Sequence, residues 1–258
     1  MPKERLDILI QRLAGVSRSK AHGLILAGQV RLPDGARADK PGARYEEETI
    51  FRIEGQQRFV SRGGDKLEAA FEAFPMDVSG KVCIDAGAST GGFTDCLLQH
   101  GAHKVYAVDV GYGQLAWSLR QDPRVVVMER CNVRYLRPGQ LDEAPEFFTA
   151  DCSFISLEKI LPALAALLAP GGEGAVLIKP QFEAGKAQVG KGGVVRDSAV
   201  HEAVVENVTA VAKSLGFQKM DVIPSPLLGP AGNREFVAYL HERAPGPPQV
   251  EIETPGSA

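Results

Sequence analysis

Val82-Cys83-Ile84-Asp85-Ala86-Gly87-Ala88-Ser89-Thr90-Gly91-Gly92-Phe93 is the stretch that decides the fold. A short apolar run ends in an acid, breaks into a turn with three glycines, and opens a helix. Apolar runs of this length suit strands buried on both faces of a parallel sheet. The form recurs at Val105-Tyr106-Ala107-Val108-Asp109, 24 residues on, then at Val125–Met128, Phe147–Asp151 and Ala175–Lys179. Helical spacing fills the gaps, as in Leu157, Ile160, Leu161, Leu164 and Leu168, or Val200, Val204, Val208, Val211 and Leu215 after Asp197. Alternation of this kind predicts an α/β domain over residues 65–243, with a doubly wound, mostly parallel sheet. Two further runs, Met220–Ile223 and Phe236–Leu240, follow with no helix between them, so the seven-stranded sheet should close on a hairpin.

The chain has 258 residues, enough for one large domain or two small ones. Hydrophobic content of 44% and charged content of 24% are ordinary for a globular protein. No run of 18 apolar residues is present, which speaks against a membrane span. Met1-Pro2-Lys3-Glu4-Arg5 has no apolar signal core, so a cytoplasmic location is expected. Cys83, Cys96, Cys131 and Cys152 form no C-x-x-C pair, so neither a metal site nor a disulfide framework is expected. Residues 244–258, with four prolines and two glycines, look like a disordered tail.

The net charge of −3 hides an asymmetry. Residues 1–45 hold nine Lys/Arg against four acids, a net of +5, leaving −8 for the rest. In this basic head Leu6, Leu9, Ile10 and Leu13 predict a helix over residues 5–13, and Ala21, Leu24, Ile25 and Gly28 a second. Gln29–Leu32 and Thr49–Ile53 look like strands, so residues 1–56 make a small α+β domain with one small sheet. Arg5-Leu6-Asp7, Ser17-Arg18-Ser19-Lys20-Ala21, Ile25, Gly28 and Val30 together resemble the S4 RNA-binding domain. The resemblance implies RNA contacts at Arg5, Arg18, Lys20 and Arg31, of the phosphate-binding kind that gives affinity without base choice. Residues 57–64, ending in Gly63-Gly64, are expected to be an interdomain linker.

In the second domain the glycine turn departs from the dinucleotide fingerprint, because position 89 is Ser and the glycine spacing differs. Its pattern, D-x-G-x-x-x-G-G-F, resembles the S-adenosylmethionine loop of class I methyltransferases. That resemblance puts Asp85, Gly87, Ala88, Ser89, Gly91, Gly92, Phe93 and Asp151 at the cofactor, with Asp109 taking the ribose hydroxyls from the second strand end. The terminal hairpin is likewise a mark of the methyltransferase variant of the doubly wound fold.

Asp151 and Lys179 end apolar strands, where open α/β sheets bind ligands. With Lys66 and Glu235 they match the Lys-Asp-Lys-Glu tetrad of FtsJ-like RNA ribose 2′-O-methyltransferases. Ser61-Arg62-Gly63-Gly64-x-Lys66-Leu67, Asp151-x-Ser153-Phe154-Ile155-Ser156-Leu157, Ile178-Lys179-Pro180-Gln181-Phe182-Glu183 and Gly232-Asn233-Arg234-Glu235-Phe236 extend the likeness. With the S4-like head in front, residues 3–241 resemble the TlyA family, S4-domain rRNA methyltransferases also labelled hemolysins. The resemblance implies methylation of a cytidine ribose in 23S rRNA, in some members also in 16S rRNA, on rRNA or a ribosomal subunit, by a monomer. A ribose hydroxyl needs a base. Lys179 is assigned that role, helped by like-charge repulsion from Lys66, with Asp151 and Glu235 orienting it and Lys66 holding the hydroxyl or its phosphate.

Residues 185–196, with four glycines and the cations Lys186, Lys191 and Arg196, suggest a mobile loop that closes on RNA; Arg62 is a further contact. Phe182 and Phe154 are candidates to stack on a flipped base, with core packing equally open for Phe154. Three rival readings compete. Asp151-Cys152-Ser153-Phe154 sits where amino-methyltransferases carry D-P-P-Y/F, though without the prolines, and Cys152 is a candidate nucleophile for 5-methylcytosine chemistry. A membrane-active hemolysin would need a span or a basic amphipathic helix of membrane type, and neither is visible. An RNA-binding or ribosome-assembly protein with a silent methyltransferase domain would leave the intact tetrad without a purpose.

Overall fold

The computed structural model describes residues 2–54 and 58–244, which fall into two compact units divided after Gln57. Most of the expected tail, 245–258, lies outside the described residues, as does position 57 of the expected linker.

The first unit runs β1 (Lys3–Arg5), α1 (Leu6–Ala14), α2 (Arg18–Leu26), β2 (Val30–Arg31), β3 (Arg44–Glu46) and β4 (Arg52–Ile53). Leu6, Leu9 and Ile10 of α1 meet Ala21, Leu24 and Ile25 of α2 over Val30, Ala38 and Phe51. Ser17 Oγ accepts from Lys20 N and caps α2. The strands form two antiparallel ribbons, β1 with β3 and β2 with β4, instead of the single small sheet expected. Lys3-Glu4-Arg5 and Arg44-Tyr45-Glu46 have no apolar alternation to announce them. They pair through backbone at the surface, where side-chain pattern carries little signal.

The second unit begins earlier than residue 65. Phe59 is buried in one core with Leu67 and Phe93, and Val60 N donates to Asp95 Oδ2 at 2.8 Å. Gly63 and Gly64 open α3 (Gly63–Ala73), and the Phe59 ring fills the space a Gly64 side chain would need. This pair is therefore a packed helix start, not a hinge, and residues 58–64 belong to the body.

The chain continues β5 (Val82–Ala86), α4 (Gly92–Gln99), β6 (Lys104–Val108), α5 (Trp117–Arg120), β7 (Val125–Met128), β8 (Phe147–Ala150), α6 (Leu161–Leu167), β9 (Glu173–Ile178), α7 (Pro180–Glu183), α8 (Ser198–Ser214), β10 (Phe217–Pro224) and β11 (Phe236–Arg243). The sheet has seven strands in the order β10-β11-β9-β8-β5-β6-β7. β11 is antiparallel to both of its neighbours, and the other pairs are parallel. Val82, Ile84 and Ala86 face one core, with α6 and α8, while Cys83 faces the other, with α3 and α4. Cover on both faces is why the strands read as continuous apolar runs. The chain leaves β5 for β6 on one side and returns to β8 on the other, so the loops after β5 and β8 open at a topological switch point. Register puts Ala86 beside Ala150, which sets Gly87 and Asp151 next to each other. No helix among the described residues is long and apolar enough to cross a membrane.

Candidate active site

Gly87 follows β5 with φ +83°, and a Cβ there would stand 2.9 Å from the Asp151 carbonyl oxygen. Gly92 is equally tight: a Cβ would meet Ser61 Oγ and, at 2.8 Å, Gly64 N. The glycine turn is thus interlocked on one side with the loop after β8 and on the other with the start of α3. Ser89, also at positive φ (+49°), is held by its N–H to Asp109 Oδ2 at 2.8 Å. Asp109 Oδ1 accepts from Gly111 N at 2.6 Å, so the strand-end acid props its own loop and keeps its remaining lone pairs for a ligand.

Asp85 differs from its expected placement at the cofactor. It is wholly buried and accepts from Thr94 Oγ1 at 2.7 Å and Thr149 Oγ1 at 2.8 Å. Burial pushes its carboxyl up to about 6, against the pull of both threonine hydroxyls. Its side chain ties α4 and β8 to β5 behind the turn instead of facing the cleft.

Lys66, Asp151, Lys179 and Glu235 line one cavity of about 660 Å³, together with Ser61, Arg62, Gly87, Ala88, Ser89, Gly92 and Phe93. They form two ion pairs. Lys179 Nζ lies 2.5 Å from Asp151 Oδ1 and donates to Ser153 Oγ at 3.1 Å. Lys66 Nζ donates to Glu235 Oε2 at 2.6 Å. Glu235 therefore orients Lys66 and not Lys179. Glu235 is 1% and Lys179 7% exposed, and such buried charges persist only when paired. Gln181 Nε2 adds a contact to Glu235 Oε1 at 3.3 Å. Neither Ser153 nor Gln181 was singled out from sequence, although both sit inside the quoted motifs.

A second cavity of about 430 Å³ shares Gly87, Ser89, Asp151 and Ser153 with the first. It is lined by Asp109, Val110, Gln114, Cys131, Asn132, Val133, Cys152, Phe154 and Ile155. An acid at one wall, apolar faces around it and a glycine cradle between two joined cavities fit a nucleoside with a flexible polar arm. Cys152 faces this cavity with its Sγ 3.4 Å from Ala86 O, and burial pushes its thiol up to about 12, which disfavours a nucleophilic thiolate. Phe154 is not core: it is 90% exposed, sits at φ +64° and leans on Phe182, ring centroids 5.0 Å apart.

The expected RNA contacts are placed unequally. Arg62 is exposed at the first cavity. Lys186, Lys191 and Arg196 are exposed, yet their loop is stapled down. Asn233 Nδ2 donates to Gly193 O at 2.9 Å, Val195 N donates to Asn233 Oδ1 at 3.0 Å, and Val194 and Val195 are buried. In the first unit Arg5 and Arg18 both grip buried Asp7, at 3.0 and 2.9 Å, and Arg31 pairs with Glu54 at 2.8 Å. Lys20 lies exposed beside Ser17 and Ser19 at the start of α2.

Residues 59–242 match the model of the FtsJ-like methyltransferase family. The 16S/23S rRNA (cytidine-2′-O)-methyltransferase TlyA of Mycobacterium tuberculosis (strain ATCC 25618 / H37Rv) is 48% identical over 241 residues, 92% of this chain and 90% of the relative. The 23S rRNA (cytidine-2′-O)-methyltransferase TlyA of Campylobacter jejuni subsp. jejuni serotype O:23/36 (strain 81-176) is 37% identical, covering 91% of this chain and 98% of the relative. A solved structure of a candidate hemolysin from Streptococcus thermophilus superposes with a TM-score of 0.69 at 48% identity, covering 94% of this chain and 90% of that one. The fold, the paired tetrad and these relatives agree, and the chain belongs to the TlyA family of FtsJ-like methyltransferases.

Proposed function

We propose that this protein transfers a methyl group from S-adenosyl-L-methionine to a cytidine ribose 2′-hydroxyl of ribosomal RNA, in 23S rRNA and as a further target in 16S rRNA. The observation that carries the reading is the pairing of Lys66 with Glu235 and of Lys179 with Asp151 in one cavity beside the glycine turn. The names of the TlyA relatives specify the same nucleoside position.

When bound, S-adenosyl-L-methionine supplies a methyl group on a sulfonium, a leaving group that needs no acid. Asp109 and the wall of the smaller cavity would hold its nucleoside, and the turn from Gly87 to Phe93 its amino-acid arm. The chain's own residues then have two tasks. They must set the 2′-oxygen in line with the methyl carbon, and they must take away its proton as the O–CH₃ bond forms. Lys179, once its own ammonium proton has passed to solvent, takes the hydroxyl proton at Nζ. Asp151 and Ser153 aim that nitrogen, and the Asp151 carboxylate balances the positive charge Nζ acquires. Lys66, held by Glu235, keeps the hydroxyl or the neighbouring phosphate in place. Phe154 and Phe182 give an exposed aromatic face for a base turned out of its stack. Arg62, Lys186, Lys191 and Arg196 offer charge to the RNA backbone near the body, and the first unit adds Arg5, Arg18, Lys20 and Arg31. Base methylation through Cys152 is disfavoured by the protonated thiol.

The test is to map 2′-O-methyl sites in rRNA from cells with and without the gene, then restore it as wild type or Lys179→Ala. The reading predicts a cytidine methylation that vanishes with the gene and returns only with wild type. A Lys179→Ala protein that folds and restores the mark would overturn the assignment of the base.

A further inference from the structure

Outside the cleft, three side chains able to ligate a metal converge where α3 packs on α4. Cys96 and His100 stand four residues apart and share one face of α4 and its cap, while Glu68 reaches them from α3. Their ligand atoms all lie within 4.8 Å of one another. Cys96 Sγ is 3.7 Å and His100 Nε2 2.7 Å from the same oxygen, Glu68 Oε2. Glu68 Oε1 is taken separately by Arg58 Nη1 at 2.5 Å. The ring of Phe71 stacks on His100, centroids 3.8 Å apart and planes 9° apart, which fixes the imidazole. We propose that Glu68, Cys96 and His100 bind a zinc ion that clamps α3 to α4.

Thiolate, imidazole and carboxylate are a donor set that zinc accepts. Tetrahedral geometry with ordinary zinc–ligand bonds separates sulfur from oxygen by about 3.6 Å and nitrogen from oxygen by about 3.4 Å. The Cys96–Glu68 spacing already matches, and His100 needs to retreat by roughly 0.7 Å to meet it. On binding, Cys96 releases its proton to solvent and His100 ligates in the neutral form. Arg58 stays on Oε1 and fixes the carboxylate from outside, as outer partners of metal ligands do. Solvent reaches the cluster past His100, whose side chain is 28% exposed, so water takes the fourth position. Without an ion the same geometry leaves a buried thiol against a carboxylate, and burial with the Glu68 charge holds that thiol well above its ordinary range. No local spacing announces this set, because the acid lies 28 residues before Cys96 on another helix.

The experiment uses the full chain, stripped with EDTA and titrated with zinc alone by calorimetry, then with cobalt and an optical readout. One equivalent of zinc should bind, cobalt should give a thiolate charge-transfer band, and zinc should raise the melting temperature. His100→Gln and Cys96→Ser should weaken zinc by more than about a hundredfold and abolish the band, and Arg58→Met should weaken it about tenfold. Where Cys96→Ser fails to fold, His100→Gln, altered at the rim, decides alone. Absence of stoichiometric zinc, or binding and band unchanged in His100→Gln, overturns the proposal.

Discussion

Asp7 in the head and Glu235 in the body are both about 1% exposed, yet the cations around them differ in kind. Asp7 holds two arginines whose side chains are 41% and 56% exposed. Glu235 holds a lysine that is nearly enclosed, and a second enclosed lysine pairs with Asp151. An arginine stays charged under all working conditions and offers a fork of donors, so gripping one carboxylate still leaves N–H groups turned to water. A lysine is a compact charge that can lose its proton once dry. Permanent charge suits capture of a phosphate backbone, and a removable proton suits chemistry on a hydroxyl.

The largest expected effect tests that division directly. Lys179→Arg keeps the charge but cannot release a proton, so single-turnover methylation should fall about 10²–10⁴-fold. A rate within a few-fold of wild type would break the distinction. Next comes the cost of losing each carboxylate. Glu235→Gln strands Lys66 in the cavity and should cost about 3 kcal/mol in urea unfolding. Asp7→Asn lets two arginines swing into water and should cost only about 1 kcal/mol. Equal losses would mean the two sites are built alike.

The same two regions should respond oppositely to pH. The Asp85 carboxyl is raised to about 6 in the fold, so its contribution is complete below about pH 4 and is lost as pH rises through 6. Asp7 is held low, chiefly by the Arg5 hydrogen bonds, so its contribution is present above about pH 4 and fades as pH falls below that. Asp85→Asn should flatten the loss between pH 4 and 7 by roughly 2–3 kcal/mol, read from unfolding curves across that window. The smallest effect belongs to the head. Lys20→Ala should weaken rRNA binding a few-fold and reduce the salt slope by about 0.7–0.9, measured by titration at several salt concentrations.

The body was readable because its strands are buried on both faces and its tetrad residues end strands or sit in short motifs. Asp151 and Lys179 follow β8 and β9, Glu235 precedes β11 and Lys66 stands in the first turns of α3, so the sheet topology and the packing of α3 together make them converge. What escaped notice depends on contacts distant in sequence. Asp85 turns inward because Thr149, 64 residues away, meets it. The glycine-rich segment 185–196 looked free and is tied by Asn233, 40 residues beyond Gly193. The exchange of partners inside the tetrad is a matter of side-chain reach, which spacing does not encode. In the head, β1 and β3 carry charges where a pattern would be sought, and only their backbone pairing marks them as strands.

The close approach of Gly87 to Asp151 bears on how such an enzyme can be re-engineered. The turn that would cradle the cofactor and the loop that holds Asp151 beside Lys179 meet at Gly87 through the Asp151 backbone and the Cys152 thiol, with no room for a further side chain. A library that varies the turn to admit a bulkier cofactor analogue would shift Lys179, the proposed base, at the same time. Positions 87 and 151–152 are best randomised together as one unit, with Gly92 and Ser61 as a second.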